Sequence, residues 1–274
     1  MKVYLGIDGG GTKTALCAIN AQHECVFTWS GPGSSIDTYS MTTVRDVLYS
    51  ALDTLPSHLE IIAAFAGLGG IISDTHRNEI ITLLQQHPRL NSAVIDADND
   101  VRNALAGSLG TTEGIVLIVG TGSVAYGYFN QHSWRSGGYS HLEGDPGSAY
   151  DVGLSALRLT ARALDGRRQH SPLTRAILTR IQVTHFAELA AVFNHYTRGE
   201  IASLAQVVTE LSSTRDAQFI LKKGARECAR MVSAVVTHLG NDQLEVGLIG
   251  GAVQKSLIYQ DMICLLYTSP SPRD

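Results

Sequence analysis

Cysteine is scarce in this 274-residue chain: four residues, Cys17, Cys25, Cys228 and Cys264, with no CxxC spacing. That pattern argues against a disulfide framework or a zinc knuckle and suits a reducing compartment, so a cytoplasmic protein is expected. No apolar run approaches the length of a bilayer crossing, and the first twenty residues, MKVYLGIDGGGTKTALCAIN, show no basic end followed by an apolar block. Neither a membrane span nor a signal peptide is expected. Charge is sparse as well, with 17% charged residues and a net charge of −4, which gives no reason to expect nucleic acid or an anionic membrane as partner. The basic doublets Arg167-Arg168 and Lys222-Lys223 are too short to alter that. A P-loop ending in Gly-Lys-Ser/Thr is missing, and no GxGxxG follows the first apolar stretch, so the standard NTPase and dinucleotide readings fall away.

What remains is an apolar, globular chain, 44% hydrophobic, long enough for one large or two medium domains. Val3, Leu5 and Ile7 alternate as a strand requires; 14–19 and 25–29 read as two more strands, and 31–35 as a loop. Helical spacing from Val44 to Leu55, an apolar run from Ile61 to Ala66, a helix over 74–87 and a short strand that begins at Ala93 to Ile95 and ends in the acidic cluster Asp96-Ala97-Asp98-Asn99-Asp100 follow. The pattern then repeats: strands at 114–119, 124–129 and around 134–140, helices near 147–165, 172–182, 184–195, 200–212 and 216–239, and a strand at 244–249. Antiparallel hairpins followed by alternating helices and strands predict an α/β protein with mixed sheets. The expected domains are 1–105 and 106–264. Residues 265–274, in LLYTSPSPRD, break the pattern and read as a non-native or unstructured tail, so the natural chain is expected to stop near Ile263 and to be truncated.

Three glycine turns each follow an apolar strand: Gly9-Gly10-Gly11 with Thr12 and Lys13, Gly120-Thr121-Gly122-Ser123, and Gly250-Gly251. Backbone N–H groups in such turns form concavities that hold anions, phosphate above all. Thr12 adds a hydroxyl donor, and Asp8 offers a hard oxygen for Mg²⁺, directly or through water. A tight hairpin that needs positive φ would use the same glycines at 9–11. Each turn is a weak signal; the three together suit one nucleotide held between two domains.

The ordered strings DGGGT, NDVRNALAG, GTGS, GGYSHLEGDPGSAYDVG and LIGGAV resemble the BadF/BadG/BcrA/BcrD ATPase family, and within it the N-acetylglucosamine kinase branch of the actin/hexokinase/Hsp70 superfamily. The likeness runs from residue 3 to about 260. It implies two ribonuclease-H-like, actin-like ATPase domains with mixed sheets around a nucleotide cleft, with ATP and Mg²⁺ as cofactors and a sugar as substrate. It also implies that the chain continues with another strand and helix. Asp8 to Lys13 would then hold the β/γ-phosphates and, through Asp8, the metal. Gly120 and Thr121 would serve the phosphates, with Thr121 and Gly122 at the γ-phosphate and acceptor, and Gly250 and Gly251 would lie against the adenosine. Asp100 matches the catalytic base and Asp145 the sugar-binding carboxylate, with Ser35, Ser123 and Tyr139 beside the acceptor.

Phosphoryl transfer to an alcohol needs positioning, charge neutralisation and one carboxylate to take the hydroxyl proton. Asp96 and Asp98 read as strand-end and cap residues, leaving Asp100 at the head of a helix for that task. Asp145 could also be a plain N-cap. The chain departs from the family in having Ser34 and Ser35 after the third strand, Tyr139 and Ser140 for Trp and Gly, and Pro146 for an acidic residue; these positions bear on which sugar fits. The expected activity is ATP-dependent phosphorylation of N-acetylglucosamine or glucosamine. The alternatives are an ATPase that activates a dehydratase, for which residues 106–227 lack the required cysteines, and a catalytically silent sugar or nucleotide sensor. A homodimer is left open.

Overall fold

A computed structural model describes residues 1–268. Val3, Leu5 and Ile7 are buried while Lys2, Tyr4, Gly6 and Asp8 face out, which makes Lys2–Gly9 a strand with one apolar face, β1. It is followed by β2 (Lys13–Ile19), β3 (Cys25–Pro32), α1 (Met41–Asp53), β4 (Glu60–Leu68), α2 (Asp74–Gln85), β5 (Val94–Asp98) and α3 (Val101–Leu109). The sheet order is β3-β2-β1-β4-β5; β1, β2 and β3 form an antiparallel meander, and β4 and β5 run parallel to β1. Ser40 caps α1 by accepting from the Thr43 N–H at 3.2 Å, and Val44, Val47, Leu48, Ala51 and Leu52 form its buried stripe.

The second half repeats this wiring. β6 (Gly114–Val119), β7 (Ser123–Phe129) and β8 (His132–Gly137) make an antiparallel meander. Six helices follow: α4 (Ala149–Leu164), α5 (Pro172–Ile181), α6 (Phe186–His195), α7 (Arg198–Ser203), α8 (Ala205–Glu210) and α9 (Arg215–Leu239). The parallel strand β9 (Val246–Ile249) then joins β6, giving the order β8-β7-β6-β9, and α10 (Gly251–Gln254) and α11 (Leu257–Thr268) complete the described chain. β6 is buried along nearly its whole length, as its unbroken apolar run requires. The chain divides into two compact units, Met1–Gly107 and one beginning at Ser108, each with its own apolar core. Among the described residues no single helix is long and apolar enough to cross a membrane.

Several sequence expectations shift. The helix expected over 200–212 is two short helices, because the Leu204 N–H bonds the Ile201 carbonyl at 3.1 Å and tightens the chain to a three-residue turn, while Leu204 itself is buried. The strand expected to end in the acidic cluster is β5, and it ends at Asp98. The helix expected to open at 147 begins at Ala149, with Pro146 outside its first turn, because Ser148 is the N-cap and accepts from the Asp151 N–H at 3.2 Å. β9 starts two residues later than expected, and Gly250 caps a helix, α10, that the glycine pair had hidden. α11 runs to Thr268, four residues into the tail expected at 265–274; the rest of that segment lies outside the described residues.

Candidate active site

In the first unit the glycine turn joins β1 to β2. Gly10 donates to the Lys13 carbonyl at 3.0 Å and its own carbonyl receives the Ser34 and Ser35 N–H groups at 3.1 and 3.2 Å. The Gly11 carbonyl accepts the Tyr39 hydroxyl at 2.8 Å. None of Gly9, Gly10 and Gly11 has positive φ, so the hairpin does not need glycine for its conformation. Gly9 is fixed by packing, since a side chain there would meet the Ser34 hydroxyl and a Leu68 methyl. Gly10 and Gly11 have only ordinary contacts at 3.7 and 3.5 Å, so neither backbone nor packing calls for glycine. Thr12, Lys13 and Asp8 are exposed around the turn.

Asn103, on α3, ties this corner together. Its amide donates to the Ile7 carbonyl at 2.9 Å and to Asp8 Oδ1 at 3.2 Å. The sequence had presented Asn103 only as part of the NDVRNALAG string; its role shows in the structure because it reaches back 95 residues. Asp8 keeps its outward-facing oxygens as hard donors, which fits a role with Mg²⁺.

The three aspartates near β5 separate clearly. Asp96 Oδ1 is gripped by Arg77 at 2.6 Å, and Asp96 in turn raises the Arg77 pKa. Asp98 accepts the Asn99 N–H at 2.7 Å and lies 3.5 Å from Arg102. Asn99 meets the Val101 N–H at 3.3 Å at the start of α3. Asp100 sits between Asn99 and α3, and a methyl placed on Gly69 would lie 2.5 Å from Ser35 Oγ and 3.5 Å from Asp100 Oδ2. The structure thus brings Ser35 and Asp100 to one glycine. Ser35 donates to Asp37 at 2.5 Å, and this bond, with a lesser one from Thr38, holds the Asp37 carboxyl below its usual range.

In the second unit, Gly120-Thr121-Gly122-Ser123 and Gly144 to Ser148 form one platform. Ser123 Oγ donates to the Pro146 carbonyl at 2.7 Å, and the Ala149 N–H bonds the Gly120 carbonyl at 2.9 Å. The Tyr259 hydroxyl, from α11, donates to the Gly147 carbonyl at 2.6 Å. Asp145 is 2% exposed and has φ +43°, a conformation that its short polar side chain tolerates. It does not cap the helix, since Ser148 does. Its Oδ2 instead accepts the Arg198 guanidinium, a partner the sequence reading missed. Tyr139 is 73% exposed on the same loop, away from any hydrogen bond among the described residues. His141 meets Tyr150 edge-on at 6.0 Å, a packing contact.

A cavity of about 660 Å³ in this unit is lined by Gly120, Thr121, Ala149, Gly199, Gly251 and Lys255 among others. Its size and its mix of glycine, hydroxyl and charged groups suit a small ligand. Gly250 has φ +109°, and a side chain there would strike the Val119 backbone at 2.6 Å. Gly120 and Gly251 have no positive φ and nothing within 4 Å of a hypothetical side chain. The structure therefore gathers Gly120, Thr121 and Gly251 on one cavity, with Gly122, Ser123 and Asp145 on the adjoining turn.

Comparison with known proteins gives the chain its place. The model of the BadF/BadG/BcrA/BcrD ATPase family matches residues 5–268. The N-acetylmuramic acid/N-acetylglucosamine kinase of Clostridium acetobutylicum is 32% identical over 266 residues, covering 92% of this chain and 86% of that protein. The N-acetyl-D-glucosamine kinase of Dictyostelium discoideum is 25% identical over 285 residues, covering 96% and 89%. The crystal structure of a candidate N-acetylglucosamine kinase from Chromobacterium violaceum superposes with a TM-score of 0.73 at 26% identity, covering 96% of this chain and 91% of that one. The likeness agrees with the strand order of both sheets: each is the ribonuclease-H-like type of the actin-like ATPase sugar kinases. The chain belongs to the BadF/BadG/BcrA/BcrD ATPase family.

Proposed function

We propose that this protein phosphorylates a hydroxyl of an amino sugar, N-acetylglucosamine or glucosamine, at the expense of ATP. ATP use follows from membership of an ATPase family. The relatives named as amino-sugar kinases support it across nearly the whole chain. The structural observation beside it is the placing of Gly10, Gly11, Gly120 and Gly251 on strand-end turns, where neither positive φ nor a close protein neighbour calls for glycine; Gly6, Gly107 and Gly199 share that freedom elsewhere in the chain. On the turns, close approach of a ligand to the backbone would account for it.

When bound, ATP supplies the phosphoryl group and Mg²⁺ neutralises charge on its phosphates. Asp8, steadied by Asn103, is the residue that would hold the metal. The backbone at Gly9 to Gly11 with Thr12 and Lys13, and Gly120 with Thr121, would cradle phosphate, while Gly250 and Gly251 border the nucleoside. Asp100 is the proposed general base: it stands just before α3 and lies with Ser35 beside Gly69. Asp145, Gly122, Ser123, Ser35 and Tyr139 are the proposed acceptor residues, with Asp145 accepting hydrogen bonds from sugar hydroxyls.

An ADP-release assay over a panel of hexosamines tests the reading. Turnover is expected with N-acetylglucosamine or glucosamine, and Asp100→Asn is expected to lower kcat by about 10³-fold while calorimetric ATP affinity stays within a few-fold. No ADP with any hexosamine, or full activity in the Asn variant, overturns it.

A further inference from the structure

We infer that Arg198 is a positioning residue for the acceptor sugar, acting through Asp145. The inference rests on the reading of Asp145 as the sugar-binding carboxylate and deepens it. The backbone around Asp145 is held from several sides: Ser123 bonds the Pro146 carbonyl, Tyr259 bonds the Gly147 carbonyl, and the Gly147 N–H bonds Asp151 Oδ2 at 3.0 Å. The Asp145 side chain, by contrast, has a single protein partner among the described residues, Arg198 Nη2 on Oδ2. Its other oxygen, Oδ1, faces the Gly120–Ser123 turn: a methyl on Gly122 would lie 3.0 Å from it.

This division of labour suits a carboxylate that must meet a neutral hydroxyl. A carboxylate at 2% exposure is costly unless charge-paired and hydrogen-bonded, and Arg198 supplies both. It does so on one oxygen only. The guanidinium, which itself lies beside Gly122, fixes the plane of the carboxylate and leaves Oδ1 on the Gly122 side. Hydrogen bonds to a charged acceptor are the strong ones, and they depend on direction.

Arg198 is itself placed by local chemistry. It is the first residue of α7, directly after the N-cap Thr197. A capping box fixes that corner: Glu200 Oε2 accepts both the Thr197 N–H and hydroxyl at 2.7 Å, and the Glu200 N–H returns to Thr197 Oγ1 at 3.3 Å. The guanidinium Nε is buried without a hydrogen-bond partner, and Asp145 is the one acceptor of the guanidinium among the described residues.

The test is steady-state kinetics with ATP and whichever hexosamine wild type accepts, on Arg198→Ala, Arg198→Lys, Asp145→Asn and the Arg198→Ala/Asp145→Asn double variant, with thermal melts of each. Arg198→Ala is expected to raise the sugar KM about 10- to 100-fold, the range of one charged hydrogen bond, with ATP KM within about twofold and kcat within about fivefold. Arg198→Lys, which keeps the charge and the fold, should recover part of the sugar KM. The double variant should be no worse than Asp145→Asn alone, because both changes remove one coupled unit. A rise in sugar KM below about fivefold, a parallel loss in both KM values and kcat, or effects that multiply in the double variant overturn the inference. If Arg198→Ala does not fold, the Lys variant and the cycle built on it decide by the same criteria. Wild type that turns over no sugar sinks the kinase reading itself, and this inference with it.

Discussion

At the end of β1, Gly9 has the Ser34 hydroxyl and a Leu68 methyl where its side chain would be; just past the end of β6, Gly120 has open space on that side. Both lie where the inner strand of an antiparallel meander turns into its hairpin partner, β1 into β2 and β6 into β7. One glycine is required by packing and the other is not. A repeated glycine motif can therefore rest on two physical causes, and the neighbours of a hypothetical side chain separate them. The carboxylates show the same contrast: Asp8 is exposed and steadied by a neutral amide, while Asp145 is buried and paired with a cation.

Four substitutions put pressure on that contrast. The largest effect on stability is expected from Gly250→Ala, where positive φ and the Val119 backbone act together; a loss of about 3 kcal/mol in guanidinium melts is expected, and a loss under about 1 would show that the segment relaxes easily. Gly9→Ala should lose about 2 kcal/mol by overpacking, read in the same melts. Gly120→Ala should leave stability within about 0.5 kcal/mol yet raise the ATP KM about tenfold. If Gly120→Ala proves as destabilising as Gly9→Ala, the distinction between the two glycines is lost.

The smallest effect concerns Asp37, whose carboxyl is held below its usual range chiefly by the Ser35 hydroxyl. A depressed folded pKa gives stability that is present above the unfolded value, about 3.9, and is lost as pH falls through the folded one. Wild type should exceed Asp37→Asn in urea midpoint near pH 6, and the gap should close toward pH 3. A gap that widens in acid reverses the sign. Because Asp37 is exposed, salt should shrink it.

Much of the architecture was readable from periodicity. The alternation of Val3, Leu5 and Ile7 and the stripe of Val44, Val47, Leu48, Ala51 and Leu52 each state their period and burial directly. The break at Leu204 was not readable, because its cause is a tightened turn around a buried side chain and the apolar spacing continues across it. α10 was hidden because a glycine pair reads as a turn, although Gly250 serves as its cap. In the candidate site, the glycine turns and the acidic cluster stood out as local strings. Asn103 and Arg198 did not, because their partners lie 95 and 53 residues away.

The bond from Tyr259 to the Gly147 carbonyl spans 112 residues and also anchors the loop against α9, where a side chain on Gly147 would meet the Gly224 carbonyl at 2.5 Å. During synthesis the loop carrying Asp145 has thus left the ribosome long before its anchor is translated. Contacts of such sequence separation close late, so the Asp145 loop gains this anchor only when nearly all of the described chain has emerged.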